Sequence, residues 1–405
     1  MGQREVVIVG YLRTAQSRSK PKEPTRDPFH KLRADELLAR LLPKLVENTG
    51  IDPSEIDDFL VGCAMGVGEQ WTYGGRLPIF LANLPETVPA KFIDQQCGSS
   101  MACIHTGFLE IATSFADVVL VGGVEHMTRV PMGEAGIEKG FAIPNKRLFT
   151  EETYKHWDMS SAMNMGLTAE KLFSKTNFAR EDLDGWGIRS HQLAAKALKE
   201  GFFRGEILPI ETEDEKDSTI IVDCDQAIRE DVSLKSMGEL KPAFKRDGVI
   251  TAGNASPLNT GAASMLLMSK ETAKKKGLKP LATIRSIGFA AVDPTLMGLG
   301  PVPATRKALQ KIDLKVQDID FWEINEAFCI VTLNCIKELG INPDRVNIMG
   351  GATAIGHALG ATGIRLVGTL ARILHTKNGR YGCANACCGG GQGVATIIER
   401  ELYDW

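Results

Sequence analysis

The sequence lacks several features that would assign it to a restricted class of protein. None of its apolar runs approaches about 18 residues, the length expected of a membrane-spanning helix. Residues 1–10 carry a short apolar stretch after a few polar residues, without the long apolar core of a signal peptide. Lysine plus arginine (47) nearly balance aspartate plus glutamate (50), so no nucleic-acid surface or charged tail is indicated. These absences predict a globular, cytoplasmic protein.

A regular pattern of cysteine pairs is also absent. The nine cysteines are scattered and mostly lie in apolar runs, which favours reduced thiols over a disulfide framework. Cys383 and Cys387 have a spacing that zinc ligands can adopt, but no second pair of that kind accompanies them. We therefore predict no metal site.

What the chain does contain is an alternation of strand-like and helix-like segments, and its 405 residues exceed the size of one simple core. This alternation predicts an α/β fold with sheets packed between helices. The predicted strands are 6–9, 59–61, 90–93, 118–121, 319–322, 345–348 and 381–388. The predicted helices are 34–48, 97–114, 305–311 and 360–374.

The two ends of the chain also resemble each other. One constant offset lays Ile56-Asp57 on Ile319-Asp320 and Cys97 on Gly360, which predicts two related halves. A polar, charge-rich stretch at about 127–250 interrupts the alternation and is interpreted as an insertion covering one end of the sheets. We place the halves at 1–269, including this inserted loop domain, and at 276–405.

Two short segments carry reactive or polar side chains where a strand ends. Cys97 lies at a predicted helix start, where the helix dipole would favour the thiolate nucleophile. A buried structural cysteine is the alternative. Asn325 follows an apolar run and could hold a water or a carbonyl oxygen, or could cap a helix.

Two glycine-rich segments complete the set. His357 is a lone histidine within the small-residue loop 350–360, a position that packing explains poorly. Cys387 lies just before the three consecutive glycines 389–391. Glycines in a row permit close approach of a substrate to free backbone N–H groups, with a flexible turn as the alternative.

Together these segments resemble the thiolase family over nearly the whole chain. The family's Asn-Glu-Ala-Phe block matches residues 325–328, its Gly-His loop contains His357, and its terminal Gly-Gly-Gly follows Cys387. Residues 122–127 and 166–170 are most similar to bacterial thiolases of fatty-acid degradation. The resemblance implies a thiolase fold, with two mixed-sheet halves in a five-layer αβαβα arrangement.

The resemblance also implies an acyltransferase that cleaves 3-ketoacyl-CoA through an acyl-cysteine. Cys97 would be the nucleophile and Cys387 the acid and base at the acetyl-CoA enolate. His357 would deprotonate Cys97 and, with a water held by Asn325, donate to the thioester oxygen. The backbone N–H groups of Cys97 and Gly389 would form a second oxyanion hole.

For ligands and partners, the resemblance implies acyl-CoA and CoA as substrates, with no separate cofactor. Contacts with CoA or substrate would come from Arg229, Ser256, Met165 and Phe328, although Arg229 could equally be a surface charge. A homodimer or homotetramer is implied, and a hydratase–dehydrogenase is a possible further partner. No nucleic acid or membrane is expected.

Several positions depart from the family's usual pattern. The usual Gly-His-Pro ends here in Ala358, and Met349 precedes Gly350 where Asn is usual. Pro257 and Thr260 stand where Gly and Asp are common, and Asn164 stands where short-chain members often carry His. None of these changes removes a catalytic group, so we expect a modified CoA or acyl pocket.

Three alternatives remain open from the sequence. A biosynthetic acetoacetyl-CoA thiolase would use the same residues in the condensing direction. A decarboxylating ketoacyl synthase would need two histidines beside its cysteine, whereas Asn325, His357 and Cys387 stand here. A non-catalytic thiolase-like subunit would fit the departures but not the intact set of reactive side chains.

Overall fold

Residues 4–402, which the computed structural model describes, form strands and helices in alternation. The strands are β1 (Val6–Arg13), β2 (Ser17–Arg18), β3 (Asp58–Gly62), β4 (Ala90–Ile93), β5 (Val118–His126), β6 (Ile210–Glu213), β7 (Thr219–Val222), β8 (Asn259–Ser269), β9 (Ala282–Ala291), β10 (Phe321–Ile324), β11 (Tyr381–Cys388) and β12 (Gln392–Arg400).

The α-helices differ widely in length, from four residues to twenty. They are α1 (Ala34–Thr49), α2 (Arg76–Leu81), α3 (Ser99–Ala112), α4 (Glu134–Glu138), α5 (Arg147–Thr150), α6 (Met159–Ala162), α7 (Met165–Phe173), α8 (Arg180–Lys199), α9 (Leu234–Gly238), α10 (Lys270–Lys275), α11 (Pro301–Gln310), α12 (Cys329–Leu339), α13 (Ala352–Ile355) and α14 (Leu359–Thr376). Within residues 4–402, none of them combines the length and the apolar character needed to cross a membrane.

The main strands are hydrogen-bonded in the order β10-β11-β12-β9-β1-β8-β5-β3-β4, while β6 and β7 form a separate hairpin. Strands β3, β4 and β5 are parallel to one another, as are β10 and β11. The remaining main-path pairs are antiparallel. The order β1-β8-β5-β3 is therefore repeated as β9-β12-β11-β10, and the two copies meet where β1 pairs with β9.

The matched aspartates show that the repeat extends to single hydrogen bonds. Asp57 accepts from the backbone N–H groups of Asp117 and Val118, at the start of β5. Asp320 accepts in the same way from Arg380 and Tyr381, at the start of β11. This correspondence supports the prediction of two related halves.

Three apolar cores lie between the five layers of helices and strands. Helix α1 packs on one side of β1, β5 and β8, whereas α3 and α14 pack between the two copies of the sheet. Helix α11 covers β9, β11 and β12 from the far side. Central helix α14 is buried along most of its length, so its sequence is apolar on nearly every face. The five-layer arrangement predicted from the resemblance is present.

One predicted strand is wrong. Residues 345–348 do not join the sheet beyond a single bridge between Val346 and Trp322. Asn347 has a left-handed backbone (φ 48°), and its side chain both accepts from the N–H and donates to the carbonyl of Ile324, at 2.8 and 2.9 Å. The asparagine side chain thus takes the place of a strand partner.

Other boundaries differ from prediction. Strand β1 extends to Arg13, and β10 covers Phe321–Ile324 rather than 319–322. Helix α3 begins at Ser99, not at Cys97, because Gln96 has a left-handed backbone (φ 52°) and Gly98 is the N-cap. The cysteine therefore lies in the turn before the helix.

Candidate active site

The turn that holds Cys97 is fixed by its own polar groups. Ser99 Oγ accepts from the N–H of Gln95 (2.9 Å) and donates to the carbonyl of Gln96 (2.6 Å). These bonds hold the left-handed residue in place between β4 and α3. Cys97 is 5% exposed and packs with Ala64, Met127 and Leu359 in a small apolar cluster.

The second half of the chain brings its glycine turn against this loop. A Cβ at position 98 would lie 2.6 Å from Cys388 Sγ, so only glycine fits there. The backbone N–H groups of Gly389 and of Cys97 itself lie close enough to the Cys97 sulfur to oppose the rise of its pKa. Two donors, one from each half, therefore converge on the position where an acyl group on Cys97 would develop negative charge.

The Cys97 thiol is protonated in the resting protein. Burial raises its pKa to about 12, although the N–H of Gly389 opposes the shift, and the charge of Glu125 adds to it. The helix dipole was expected to favour the thiolate, but desolvation outweighs it because the sulfur lies outside the helix and away from water. The nucleophile consequently needs a base at the moment of attack.

Cys387 is near this thiol but faces another core. It packs with Cys383 against the outer face of the second sheet, while Cys388 packs in the central core beside α3 and α14. Burial raises the pKa of Cys387 well above its usual value, and the nearby Cys97 adds to the rise. Cys387 can therefore hold and release a proton without being ionised at rest.

Asn325 and His357 form a pair. Asn325 Nδ2 lies 3.3 Å from His357 Nε2, and Asn325 Oδ1 is buried without a partner among residues 4–402. A buried oxygen of this kind is satisfied by a water or a ligand donor. Asn325 is thus suited to hold a water beside the histidine.

The tautomer of His357 follows from its other neighbour. Its Nδ1 lies 2.6 Å from Thr362 Oγ1, whose hydroxyl donates to the carbonyl of Ala358 at 2.9 Å. The threonine oxygen must then accept from Nδ1–H, which leaves the Nε2 lone pair directed at Asn325. Burial, with a smaller contribution from Arg365, lowers the pKa of His357 to about 3. The imidazole is neutral and can accept a proton at Nε2.

Glu326, within the block that contains Asn325, organises the surrounding loops. Its fully buried carboxylate accepts from Trp186 and Ser190 of α8, and from Asn347 and the N–H of Thr353, at 2.7–3.0 Å. A Cβ on Gly351 would clash with this carboxylate. The sequence indicated the block but not this residue, because its donors come from distant parts of the chain.

Glu125 has a comparable position in the first half. Its carboxylate accepts from the backbone N–H groups of Ala64 and Gly360 (2.9 and 3.0 Å) and from the Gln70 amide. Burial raises its pKa. Since Gly360 lies in the first turn of α14, just after His357, and Ala64 contacts Cys97, this carboxylate links the two loops that hold the reactive side chains.

The four residues predicted to contact CoA lie in two places. Phe328 stacks edge-on to Phe244, with ring centroids 5.9 Å apart, and the half-buried Ser256 donates to the carbonyl of Ala327. Met165, half-buried, begins α7 next to Gly166, which packs directly on the Phe244 ring. Ser256, Met165 and Phe328 are therefore close neighbours.

Arg229 lies elsewhere, in a basic cluster. Its backbone N–H donates to His191 Nδ1 (3.2 Å). Burial, then the charges of Arg229 and Arg18, lower the pKa of His191 to about 4. Burial and the charge of Arg229 also lower the pKa of half-buried Arg18. Cations held this close attract an anionic ligand.

Two of the departures from the family pattern have structural explanations. Asn164 is the N-cap of α7 and accepts from the N–H of Leu167. Thr260 is fully buried, donates to Asp27 and contacts His126 Nδ1. Pro257 follows Ser256 and is half-buried. Asn164 thus caps a helix from an exposed position, whereas Thr260 belongs to the buried scaffold.

Comparisons with known proteins agree with this architecture. The family models "Thiolase, N-terminal domain" and "Thiolase, C-terminal domain" match residues 6–271 and 278–400. The chain is 42% identical over 402 residues to the 3-ketoacyl-CoA thiolase of Marinobacter nauticus, covering 98% of each chain. Over 400 residues it is 42% identical to that of Acinetobacter baylyi, again covering 98% of each.

Solved structures give the same result. The acetyl-CoA acetyltransferase of Bacillus anthracis superposes with a TM-score of 0.86 at 34% identity, covering 99% of this chain and 100% of that one. Human mitochondrial 3-ketoacyl-CoA thiolase in complex with CoA superposes with a TM-score of 0.85 at 30% identity, covering 98% of both. With both family models matched in order along nearly the whole chain, this protein belongs to the thiolase family.

Proposed function

We propose that the chain catalyses the CoA-dependent cleavage of a 3-ketoacyl-CoA to acetyl-CoA and a shortened acyl-CoA, as a degradative enzyme of fatty-acid oxidation. The observation that carries the proposal is the close packing of the Cys97 turn against the turn of Cys388 and Gly389, at the junction of the two halves. There the N–H of Gly389 and the thiol of Cys387 lie near Cys97. In the neutral His357–Asn325 pair, the unprotonated Nε2 of His357 can act as a base.

In the first step, Cys97 attacks the 3-keto carbon and its proton passes to His357 Nε2. The keto oxygen becomes an oxyanion that the N–H groups of Cys97 and Gly389 stabilise. Starting from a neutral thiol and a neutral imidazole avoids a buried ion pair before substrate arrives, since transfer is coupled to bond formation.

In the second step, the bond between C2 and C3 breaks and leaves an acyl group on Cys97 and the enolate of acetyl-CoA. His357, now carrying a proton on Nε2, donates to the enolate oxygen, together with a water held by Asn325 Oδ1. Cys387 protonates the enolate carbon. Free CoA then gives its thiol proton to the Cys387 thiolate and attacks the acyl carbon. The C–S bond to Cys97 breaks, and the departing Cys97 thiolate recovers its proton from His357 Nε2.

The proposed CoA contacts use both clusters. Arg229 and Arg18 would attract the phosphate groups, since the two guanidinium groups lie close enough for the charge of Arg229 to lower the pKa of Arg18. Ser256, Met165 and Phe328 would contact the uncharged part of the ligand. CoA is thus a substrate, and the proposed chemistry needs no other cofactor.

We also propose that the enzyme is a homo-oligomer, dimeric or tetrameric. Strand β4 is a sheet edge, and the adjoining segment exposes Trp71, Tyr73 and Phe80 by 51–60%. An unpaired edge beside apolar side chains favours pairing with a second copy. Sedimentation should show Phe80→Asp dissociating, whereas Ile143→Asp in the inserted region should not; a wild-type monomer would contradict the proposal.

We propose a cytoplasmic location for the enzyme. All nine thiols are unpaired, which suits the reducing cytoplasm that we propose. A hydratase–dehydrogenase partner is suggested only by the family resemblance, and no residue is assigned to it.

A thiolysis assay with 3-ketoacyl-CoAs from four carbons upward tests the function. We expect cleavage of substrates longer than acetoacetyl-CoA at a higher kcat/KM than acetoacetyl-CoA itself. Activity confined to acetoacetyl-CoA would instead favour the biosynthetic alternative, to which the similarity with the Bacillus anthracis acetyltransferase points. Failure to cleave any of them would overturn both.

A further inference from the structure

The residue after the active-site histidine has a backbone N–H that the usual family motif lacks. Where Gly-His is commonly followed by proline, this chain has Ala358, and proline has no N–H. The Ala358 N–H donates to Gln16 Oε1 at 2.9 Å, in a buried position where Gln16 is 1% exposed. The backbone N–H that alanine adds at position 358 thus has a hydrogen-bond acceptor.

Gln16 is fixed by its main chain. Its N–H donates to Asp225 Oδ1 at 2.8 Å, and its carbonyl accepts from the N–H of Gln226 at 3.1 Å. Asp225 is held in turn by Arg13 through two bonds of 2.7 and 2.9 Å, within a fully buried ion pair. The acceptor therefore sits on a rigid part of the first half.

The neighbouring peptide is held from the same side. The His357 N–H donates to Asn259 Oδ1 at 2.8 Å, and Asn259 Nδ2 donates to the carbonyl of Ser17, also at 2.8 Å. The chain at residues 16–17 consequently anchors both backbone N–H groups next to the imidazole, one directly and one through Asn259.

Position 358 controls the ring as well as the backbone. The Ala358 carbonyl accepts from the hydroxyl of Thr362, and the oxygen of that hydroxyl also contacts His357 Nδ1. Ala358 has φ −75° and ψ 103°, a conformation that proline also adopts. The hydrogen bond to Gln16 restrains the backbone where a proline ring would otherwise do so.

We propose that Gln16 is a positioning residue for the active-site histidine, and that the Gln16–Ala358 bond replaces the proline constraint of the common motif. The inference rests on the proposed role of His357 as the base. Loss of this hydrogen bond would let the His357–Ala358 peptide and Thr362 shift. His357 Nε2 would then be less often in position to accept the Cys97 proton.

A double-mutant cycle in kcat tests the proposal, using Gln16→Met, Ala358→Pro and the two combined. Gln16→Met should lower kcat about tenfold with KM changed less than about twofold, because one hydrogen bond to the loop is lost. Ala358→Pro should lower kcat further, since the ring carbon would press on Gln16 Oε1. The double variant should recover to within about threefold of wild type, because methionine is flexible enough to accept the ring.

Alkylation of Cys97 by iodoacetamide gives a second readout that does not need turnover. It should slow in Gln16→Met and recover in the double variant, because His357 helps to deprotonate the thiol. Ser286→Ala removes a buried hydroxyl bond to the carbonyl of Ala308, far from the site, and should lower thermal stability without changing kcat.

The outcomes distinguish failure of the positioning role of Gln16 from failure of the proposed function. Unchanged kcat and alkylation in Gln16→Met, or losses in the double variant equal to the product of the single losses, would overturn the positioning role. If Ala358→Pro does not fold, kcat and alkylation in Gln16→Met alone test the positioning role, and unchanged values of both would overturn it. Absence of thiolysis in the wild-type protein would instead remove the proposed function.

Discussion

Cys97 and Cys387 are both buried thiols that differ in what surrounds them. The backbone N–H groups of Gly389 and of Cys97 itself act to lower the pKa of the Cys97 thiol, so they stabilise negative charge at that position when it develops. Cys387 packs against the apolar outer face of the second sheet and lies near Cys97. These surroundings suit the first to nucleophilic attack and the second to proton transfer.

We predict that Cys387→Ala still takes up an acetyl group from acetyl-CoA but loses exchange of the α-protons by about a hundredfold or more, since a positioned acid or base contributes that much. Hydrogen–deuterium exchange into acetyl-CoA measures the loss. Cys388→Ala is the matched control, because Cys388 faces the central core; it should retain exchange. Equal exchange in both variants would exclude a role for Cys387.

The residues of the candidate site were predicted from the sequence with the help of the family resemblance, whereas the pKa shifts of their side chains were not. Short motifs marked Cys97, Asn325, His357 and Cys387, because glycines and polar side chains at strand ends fit packing poorly. The pKa of Cys97 could not be predicted, since burial depends on how the second half covers the turn. The bond from Gln16 to Ala358 joins positions at opposite ends of the chain and was likewise not visible.

Among the structural elements, the loop around Glu326 links α8 and α13 to the end of β10. The carboxylate accepts four hydrogen bonds, two on each oxygen. Because every partner is a donor, an amide in its place would direct an N–H₂ group at other donors. Asn325 and the histidine loop therefore depend on a side chain at position 326 that accepts hydrogen bonds on both of its oxygens.

We predict that Glu326→Gln lowers the free energy of unfolding by about 2–3 kcal/mol, the cost of leaving buried donors unsatisfied, and also lowers kcat. Urea denaturation and thiolysis assays measure the two effects. Asp320→Asn, at the start of β10, is the control: an amide oxygen there can still accept from the N–H groups of Arg380 and Tyr381. Similar stability of Glu326→Gln and wild type would contradict the account.

Element boundaries were predicted well where apolar periodicity decides them and poorly where single side chains do. Strand β4 and strand β11 begin and end as predicted, and α1 and α14 differ by one or two residues at their ends. The failed strand at 345–348 depends on the Asn347 side chain bonding to Ile324. No local pattern indicates that such a side chain will replace the backbone ladder.

For the whole molecule, the related halves place the reactive groups at their junction. The turn after β4 supplies Cys97, the turn after β11 supplies Gly389, and Glu125 joins the first half to the N–H of Gly360. The five-layer fold followed from the sequence only through the family resemblance, because alternation alone predicts many α/β arrangements. The division at 269 and 276 stays a prediction.

Stability should fall on acidification because buried histidines are neutral. Burial lowers the pKa of His105 and of His357 to about 3, whereas an unfolded histidine titrates near 6.5. Below about pH 6.5 the unfolded chain therefore binds protons that the folded chain does not, and each histidine costs about 1.4 kcal/mol of stability per pH unit.

We predict that this slope becomes shallower in His105→Gln, which removes one such histidine away from the active site; its imidazole contacts Thr396 on β12. Urea denaturation of both proteins between pH 7 and pH 5 measures the difference. Parallel stability curves for the two proteins over this range would show that His105 is not a buried neutral group.

The most direct test of the acyl-cysteine mechanism is the mass of the protein after brief exposure to a 3-ketoacyl-CoA without added CoA, followed by peptide mapping. We predict one acyl group per chain, on the peptide that contains Cys97, and none in Cys97→Ala. An acyl group found on another cysteine, or none on a protein that still performs thiolysis, would contradict the account.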